Sequence, residues 1–307
     1  MNLREPIVDR PSLAGLGEDG LLRLLTRRWR YGPTVFAGVG DDCAVLEGRG
    51  KERFLLFKTD SVVEGVHFPP ETPWPLVGRK ALARALSDVA AMGGRPLYAL
   101  IALALPASAA PASVQGIYRG IERLGRRFAV ELVGGELTRS CQIVLTIALL
   151  GETAGHPPLL RSGAGPGDGI YVTGRLGGSL KSGRHLRFPP RLGEGEWLAK
   201  GRWATSLMDI SDGLASDLPR LARASHVEWS LDEDRVPKRR GCSLQQALCD
   251  GEDYELLFTV APHRESTLKR EWPFPTRLSR IGVCRRPSAR GGGCKPFAHG
   301  FDHFQLS

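Results

Sequence analysis

Acidic side chains recur in this chain where apolar runs give way to glycine or polar residues. They stand at Gly40-Asp41-Asp42, Lys58-Thr59-Asp60, Leu86-Ser87-Asp88, Gly134-Gly135-Glu136, Met208-Asp209-Ile210-Ser211-Asp212-Gly213 and Gly251-Glu252-Asp253-Tyr254. Carboxylates gathered in one cleft lose hydration and repel one another unless cations lie between them. Such an oxygen-rich site suits Mg²⁺, which commonly links carboxylates to substrate phosphates. Phosphoryl transfer asks mainly for positioning and charge neutralisation, which bound metal ions supply without a protein nucleophile. The pattern therefore points to Mg²⁺-dependent phosphoryl transfer. The chain has no Gly-x-x-x-x-Gly-Lys-Ser/Thr loop, which excludes a P-loop. Gly177-Gly178-Ser179 is too short a turn to hold a triphosphate by itself.

Each acid taken alone has an ordinary structural explanation. Asp41-Asp42 suits a hairpin turn. Ser211 or Asp212 suits the cap of a helix starting near Gly213. Glu252-Asp253-Tyr254 suits a surface loop, and His67, between Val66 and Phe68, suits a core or rim position. Asp60 resists such an explanation, because the apolar strand before it directs it toward buried groups. The metal reading rests on the acids together.

Regular elements must carry these acids, and Arg53 to Thr59 reads as a strand that delivers Asp60 at its end. Residues 76–92 are apolar at helical spacing, and Gly93-Gly94 ends that helix. Asp88 sits in its last turn, where the helix dipole disfavours a carboxylate unless a positive group compensates. A short basic helix is expected over Leu21 to Arg30. A strand is expected over Leu97 to Leu105, a helix from Pro111 to about Phe128, and strands over 130–133 and 142–150. Beyond the Gly/Pro-rich stretch of 155–169 come a strand at 169–173, a helix over 191–200, a helix ending at Ala224, and strands over 255–260 and 277–283. Residues 285–295 read as a Gly/Arg-rich loop. The alternation of strands and helices predicts an α/β N-terminal domain over residues 1–150 and an α+β C-terminal domain over 151–307 that completes the site.

The chain has 307 residues, enough for two domains, with 42% hydrophobic and 24% charged residues, a globular balance. No apolar run approaches the ~20 residues that cross a bilayer, and residues 1–10 carry no signal-like apolar segment. The six cysteines form no Cys-x-x-Cys pair. That predicts a reducing cytoplasm and mostly buried thiols, with neither disulfides nor a zinc site. The net charge of +9 comes without a nucleic-acid-binding motif, so it reads as a basic surface that attracts phosphorylated ligands.

The ordered motifs, Val39-Gly40-Asp41-Asp42-Cys43-Ala44, residues 58–68 from Lys58 to Phe68, Ser87-Asp88-Val89-Ala90-Ala91-Met92-Gly93, Met208 to Leu214, and Gly251 to Leu256, resemble those of thiamine-monophosphate kinases. They cover nearly the whole chain. The resemblance implies the aminoimidazole ribonucleotide synthetase-like fold, whose N-terminal sheet pairs with that of a second subunit into a barrel. It implies transfer of the ATP γ-phosphate to thiamine monophosphate in a homodimer. Asp42, Thr59, Asp60, Asp88 and Asp209, with Asp212, would then hold Mg²⁺. Tyr118, Gly135, Arg161 and Ser211 would contact ATP, and His67, Glu252 and Phe301 would line the thiamine site. A cationic thiazolium suits an aromatic face beside a carboxylate.

Four positions depart from the family pattern. Lys58 replaces a hydroxyl residue in the metal-ligand stretch and shares a strand face with Asp60, which predicts fewer Mg²⁺ ions. Glu136 replaces an Asp and keeps its charge at a metal- and nucleotide-binding position. Ala85 stands where Asn is common, and Gly178 where Asp is common. The helical segment between Gly178 and His185 is nearly absent, which predicts a missing small lid. Two alternatives follow: a relative that uses ATP to activate another acceptor, and a basic binding protein without turnover.

Overall fold

A computed structural model describes residues 13–50, 52–287 and 300–304. The first half runs α1 (Leu13–Thr26), β1 (Val35–Ala37), β2 (Ala44–Glu47), β3 (Arg53–Val63), α2 (Trp74–Ala91), β4 (Arg95–Leu105), α3 (Pro111–Arg127), β5 (Glu131–Arg139) and β6 (Val144–Ala154). Its six strands form one sheet in the order β1-β2-β3-β6-β4-β5, antiparallel except for the β4–β5 pair. The second half runs β7 (Gly169–Thr173), α4 (Leu192–Lys200), β8 (Ser206–Asp209), α5 (Leu214–Ala224), β9 (Glu228–Leu231), α6 (Leu244–Cys249), β10 (Leu256–Val260), α7 (Glu265–Glu271) and β11 (Leu278–Arg285). Its strands form an antiparallel sheet in the order β8-β10-β7-β11-β9.

α2 is the hinge of this arrangement. It is apolar on almost every side, and a helix of that kind belongs in an interior. It packs on the first sheet, on α3 and α4, and on β8 of the second sheet. Glycine permits the α2–α3 crossing: a Cβ on Gly78 would lie 2.0 Å from the Ile117 carbonyl oxygen, and one on Gly120 1.9 Å from that of Pro75. One continuous core therefore joins residues of both sheets, from Leu56, Leu86 and Ile147 to Leu207, Leu256 and Phe258. A second core lies beneath α5. Among the described residues no helix covers the opposite face of the first sheet, and Phe57, Tyr98 and Leu100 are exposed there.

Several elements differ from the sequence expectations. The first helix lies at 13–26, not 21–30, with a kink at Gly17 (φ 63°). Gly15, Gly17 and Gly20 lower its helix propensity and mask its periodicity. β3 continues four residues past Thr59, so Asp60 lies inside the strand rather than at its end. β5 runs to Arg139 through Gly134-Gly135. β9, α6 and α7 were not foreseen, although Ser243 and Gln246 form a capping box that marks the start of α6. Between β7 and α4 the only regular structure is a 3-10 turn at Arg184–Leu186. Of the five described cysteines only Cys43 and Cys284 are buried; Cys141 is exposed, and Cys242 and Cys249 are half-buried. A thiol is small enough for loop positions as well as cores. Cys294 and most of the 285–295 stretch fall outside the described residues.

Candidate active site

Three acids meet where the two halves of the chain meet. Asp42 comes from the bend before β2, Asp88 from the last turn of α2, and Asp209 from the end of β8. All three are buried, and one carboxylate oxygen of each lies within 4.8 Å of the others. Asp209 Oδ2 accepts a 2.6 Å hydrogen bond from Ser87 Oγ. Asp42 Oδ1 takes the Arg161 guanidinium at 2.6 Å. Asp42 Oδ2 is buried with no hydrogen-bond partner among the described residues. Burial, and then the charge of Asp42, push Asp209 up to about 7. Burial raises Asp88 too, although Lys58 opposes the shift. A buried, all-oxygen, mutually repelling set with an unused lone pair fits a hard divalent cation such as Mg²⁺.

Asp41 has the structural role foreseen for its turn. Its carboxylate accepts from the backbone N–H groups of Asp42 and Arg161, each at 3.2 Å. That leaves Asp42 to point inward. The helix-cap explanation of Ser211 and Asp212 does not hold, since α5 has Gly213 at its N-cap and no side-chain cap. Asp212 instead pairs with Arg220, which also binds Asp217 at 3.0 Å.

Strand alternation sorts the next group. Lys58 and Asp60 project from β3 toward α2. Lys58 Nζ lies 3.1 Å from Asp88 Oδ1, and Arg84 Nε of α2 lies 3.1 Å from Asp60 Oδ2. Lys58 is thus the positive group that the carboxylate at the end of α2 required. Burial works against its ammonium, but Asp88 and Asp60 more than offset this and its pKa is raised. Thr59 projects to the other side of the strand. A cavity of about 1230 Å³ opens onto this group and is lined by Asp42, Lys58, Thr59, Asp60, His67, Asp88, Arg161, Asp209, Ser211 and Asp212. α1 closes one side of it through Glu18, Asp19 and Leu22.

Two family profiles match: AIR synthase related protein, N-terminal domain, over residues 40–153, and AIR synthase related protein, C-terminal domain, over residues 165–282. The curated thiamine-monophosphate kinase of Rhodopirellula baltica is 36% identical over 86% of this chain and 89% of its own length. That of Bacillus subtilis is 32% identical over 83% and 87%. The chain belongs to the thiamine-monophosphate kinase family. Among solved structures, AaThiL complexed with AMPPCP and TMP superposes with a TM-score of 0.84 at 31% identity, over 97% of this chain and all of the other.

Not every residue singled out from the thiamine-monophosphate kinase resemblance reaches this cavity. Tyr118 is half-buried in α3 against the main core. Gly135 and Glu136 lie on β5, the edge strand, with Glu136 exposed and in register with Ala102. Gly135 has a packing reason of its own, because a Cβ there would sit 1.8 Å from the Ile101 carbonyl oxygen. Glu252 faces inward to Lys80 at 2.5 Å and His185 at 3.0 Å. Its backbone has φ 53°, a left-handed strain, and its N–H donates to Ser211 O at 2.6 Å. Phe301 stands at the rim, its ring edge-on to His303 at 4.9 Å, and His303 lies 5.2 Å from His67. Lys80, Arg84, Ser87, His185 and Arg220 were not foreseen. A signal for two of them was present: Lys80, Arg84 and Asp88 repeat every four residues along one stripe of an otherwise apolar helix.

Proposed function

We propose that this protein transfers the γ-phosphoryl group of ATP to the phosphate of thiamine monophosphate, forming thiamine diphosphate and ADP with Mg²⁺ as cofactor. The observation that carries the reading is the convergence of Asp42, Asp88 and Asp209, from both halves of the chain, on one cavity of about 1230 Å³. The names of the relatives support it, as does the bound AMPPCP and TMP of the solved neighbour.

Asp42, Asp88 and Asp209 would hold Mg²⁺, while Thr59, Asp60 and Asp212 line other parts of the same cavity. The ion supplies charge neutralisation on the transferring phosphates. Arg161 holds Asp42 and faces the cavity, where its guanidinium suits a phosphate oxygen. Ser211 offers a hydroxyl at the same wall. An oxygen of the acceptor phosphate attacks the γ-phosphorus directly as the bond to ADP breaks. Among the described residues that line the cavity, no side chain is placed as a phosphoenzyme nucleophile. Phe301, His303 and His67 form an aromatic rim suited to the thiazolium cation. Lys80 Nζ donates to both the His67 carbonyl, at 2.6 Å, and Glu252, so Glu252 supports the His67 loop rather than facing the cavity.

Tyr118, Gly135 and Glu136 do not reach the cavity within one chain, and their assignment to ATP rests on a second subunit. A homodimer is part of the same reading. Phe57, Leu150 and Tyr98 stand in register across β3, β6 and β4 on the uncovered sheet face, and pairing two such faces would bury them. Placement in the cytoplasm belongs to the reading too; among the described residues no helix is long and apolar enough to cross a membrane.

The decisive assay incubates the protein with Mg²⁺-ATP and thiamine monophosphate and follows ADP and thiamine diphosphate. Equal formation of both is expected. ADP release without thiamine diphosphate would move the acceptor elsewhere, and no ADP at all would remove the kinase reading.

A further inference from the structure

α2 is buried on nearly all sides, yet it carries Lys80, Arg84 and Asp88 at four-residue intervals. β3 faces this stripe with Lys58 and Asp60, two residues apart. Two ion pairs therefore cross between strand and helix with opposite sense. The strand supplies the cation at Asp88 and the anion at Arg84, both at 3.1 Å. Arg84 also donates to Ser61 O at 3.3 Å, which fixes its guanidinium against the strand. Lys58, Asp60, Arg84 and Asp88 all line the cavity.

Asp88 is also one of the three acids that converge within 4.8 Å. A divalent ion seated on its Oδ1 would have to displace the Lys58 ammonium. It would then face that unit charge a few ångströms away, within a cleft that screens poorly. Removing one partner of a desolvated ion pair is strongly unfavourable, because the other charge stays behind. Lys is moreover a compact point charge able to turn toward a phosphate oxygen, and Arg is charged at every accessible pH. Neither can dissociate as a metal ion does.

We infer that Lys58 and Arg84 are built-in cations of the phosphate site: at Asp88 Oδ1 and at Asp60 Oδ2 each holds a place that a further divalent ion would otherwise take, which leaves the other Asp88 oxygen to an ion shared with Asp42 and Asp209. The loaded site consequently takes up fewer divalent ions than its acids alone would bind, and part of its phosphate neutralisation is independent of metal concentration. This inference rests on the nucleotide–metal reading above.

Manganese counting by electron paramagnetic resonance, on protein saturated with AMPPCP, tests it. Lys58→Met keeps the side-chain length and deletes the charge; it should bind one more Mn²⁺ per subunit than the wild type. Lys58→Arg should keep the wild-type count. Equal counts in the wild type and Lys58→Met would overturn the inference while leaving the nucleotide site intact. Absence of nucleotide-dependent Mn²⁺ uptake in every form would remove the underlying reading, and the inference with it. A crystal of the wild type with Mn²⁺ and AMPPCP answers the question even if Lys58→Met does not fold. Anomalous scattering should place no manganese on Asp88 Oδ1, with Lys58 still paired there. A manganese ion bound to that oxygen would overturn the inference.

Discussion

Lys80 Nζ lies 2.5 Å from Glu252 Oε2, joining the middle of α2 to a loop 172 positions later in the chain. Burial pulls the Lys80 ammonium down to about 8, with Glu252 opposing. Burial acts upward on Glu252, but His185 and Lys80 outweigh it and hold the carboxyl at about 2. Both groups are therefore charged at neutral pH. Lys80 is fully buried, so removing its partner strands a cation in the interior. Glu252→Gln should destabilise the fold by about 3 kcal/mol, whereas Lys80→Met with Glu252→Gln should recover much of that loss. Chemical denaturation of the two variants measures both numbers; a neutral single variant would deny the pair any structural role.

The converging acids should separate activity from stability. Asp88→Asn and Asp209→Asn are each expected to reduce turnover at least about 10³-fold, since each removes a charge from the set that would hold the metal. The metal-free fold should survive both changes, although Asp88→Asn leaves Lys58 without its partner and should lower stability. Asp209→Asn should raise the metal-free stability at pH 8 by about 1 kcal/mol or more, because the wild-type residue has its pKa elevated to about 7 and is ionised there at a cost. Turnover within a few-fold of wild type would count against the metal assignment.

Much of this was legible from residue pattern, and what was not has a physical reason. α2, α3, β4, β7 and β10 are long or continuous apolar segments bounded by Gly or Pro, and local periodicity is enough for them. β9, α6 and α7 are short and acquire their stability from packing, so periodicity has little to register. The acids stood out because carboxylates are unusual at the ends of apolar runs. Their partners did not, since Arg84 meets Asp60 and Lys80 meets Glu252 only once the chain is folded. Gly135 shows the converse: a residue singled out for function has an independent reason to be glycine, close passage beside Ile101.

The pH dependence of the metal-free protein follows from Asp41 and Asp209. Burial first, and Asp42 second, raise each from 3.8 to about 7. A raised carboxyl keeps its proton in the folded state after the unfolded chain has lost it. The stability it contributes is present below about pH 4 and is lost as pH rises toward about 7. With EDTA, the melting temperature should thus decline between pH 5 and 8. Saturating Mg²⁺ should lessen or reverse the decline, because the ion binds the ionised carboxylates. A metal-free melting temperature that climbs across that range would contradict the clustering of charge.

At the acceptor end, Phe301 is half exposed and its ring meets His303 edge-on. Phe301→Ala should raise the KM for thiamine monophosphate about five-fold, the worth of one exposed cation–π contact, and leave the KM for ATP unchanged. Equal effects on both substrates would place the residue elsewhere in the cycle.

The uncovered face of the first sheet sets a last expectation. Phe57 is 49% exposed, Tyr98 42% and Leu100 46%, and Leu150 lies in register between Phe57 and Tyr98. A row of large apolar groups on the open side of a sheet is costly in water and marks an interface. A second copy of the same face would cover it with matching chemistry and closed symmetry. Tyr98→Glu changes only a side chain that points away from the core, so β4 should keep its pairing with β5 and β6. The charge would nevertheless sit in the middle of the contact. Sedimentation equilibrium should give twice the chain mass for the wild type and the single-chain mass for Tyr98→Glu, with an unchanged circular dichroism spectrum. A monomeric wild type, or a variant that remains dimeric, would show that this face is not where two subunits meet.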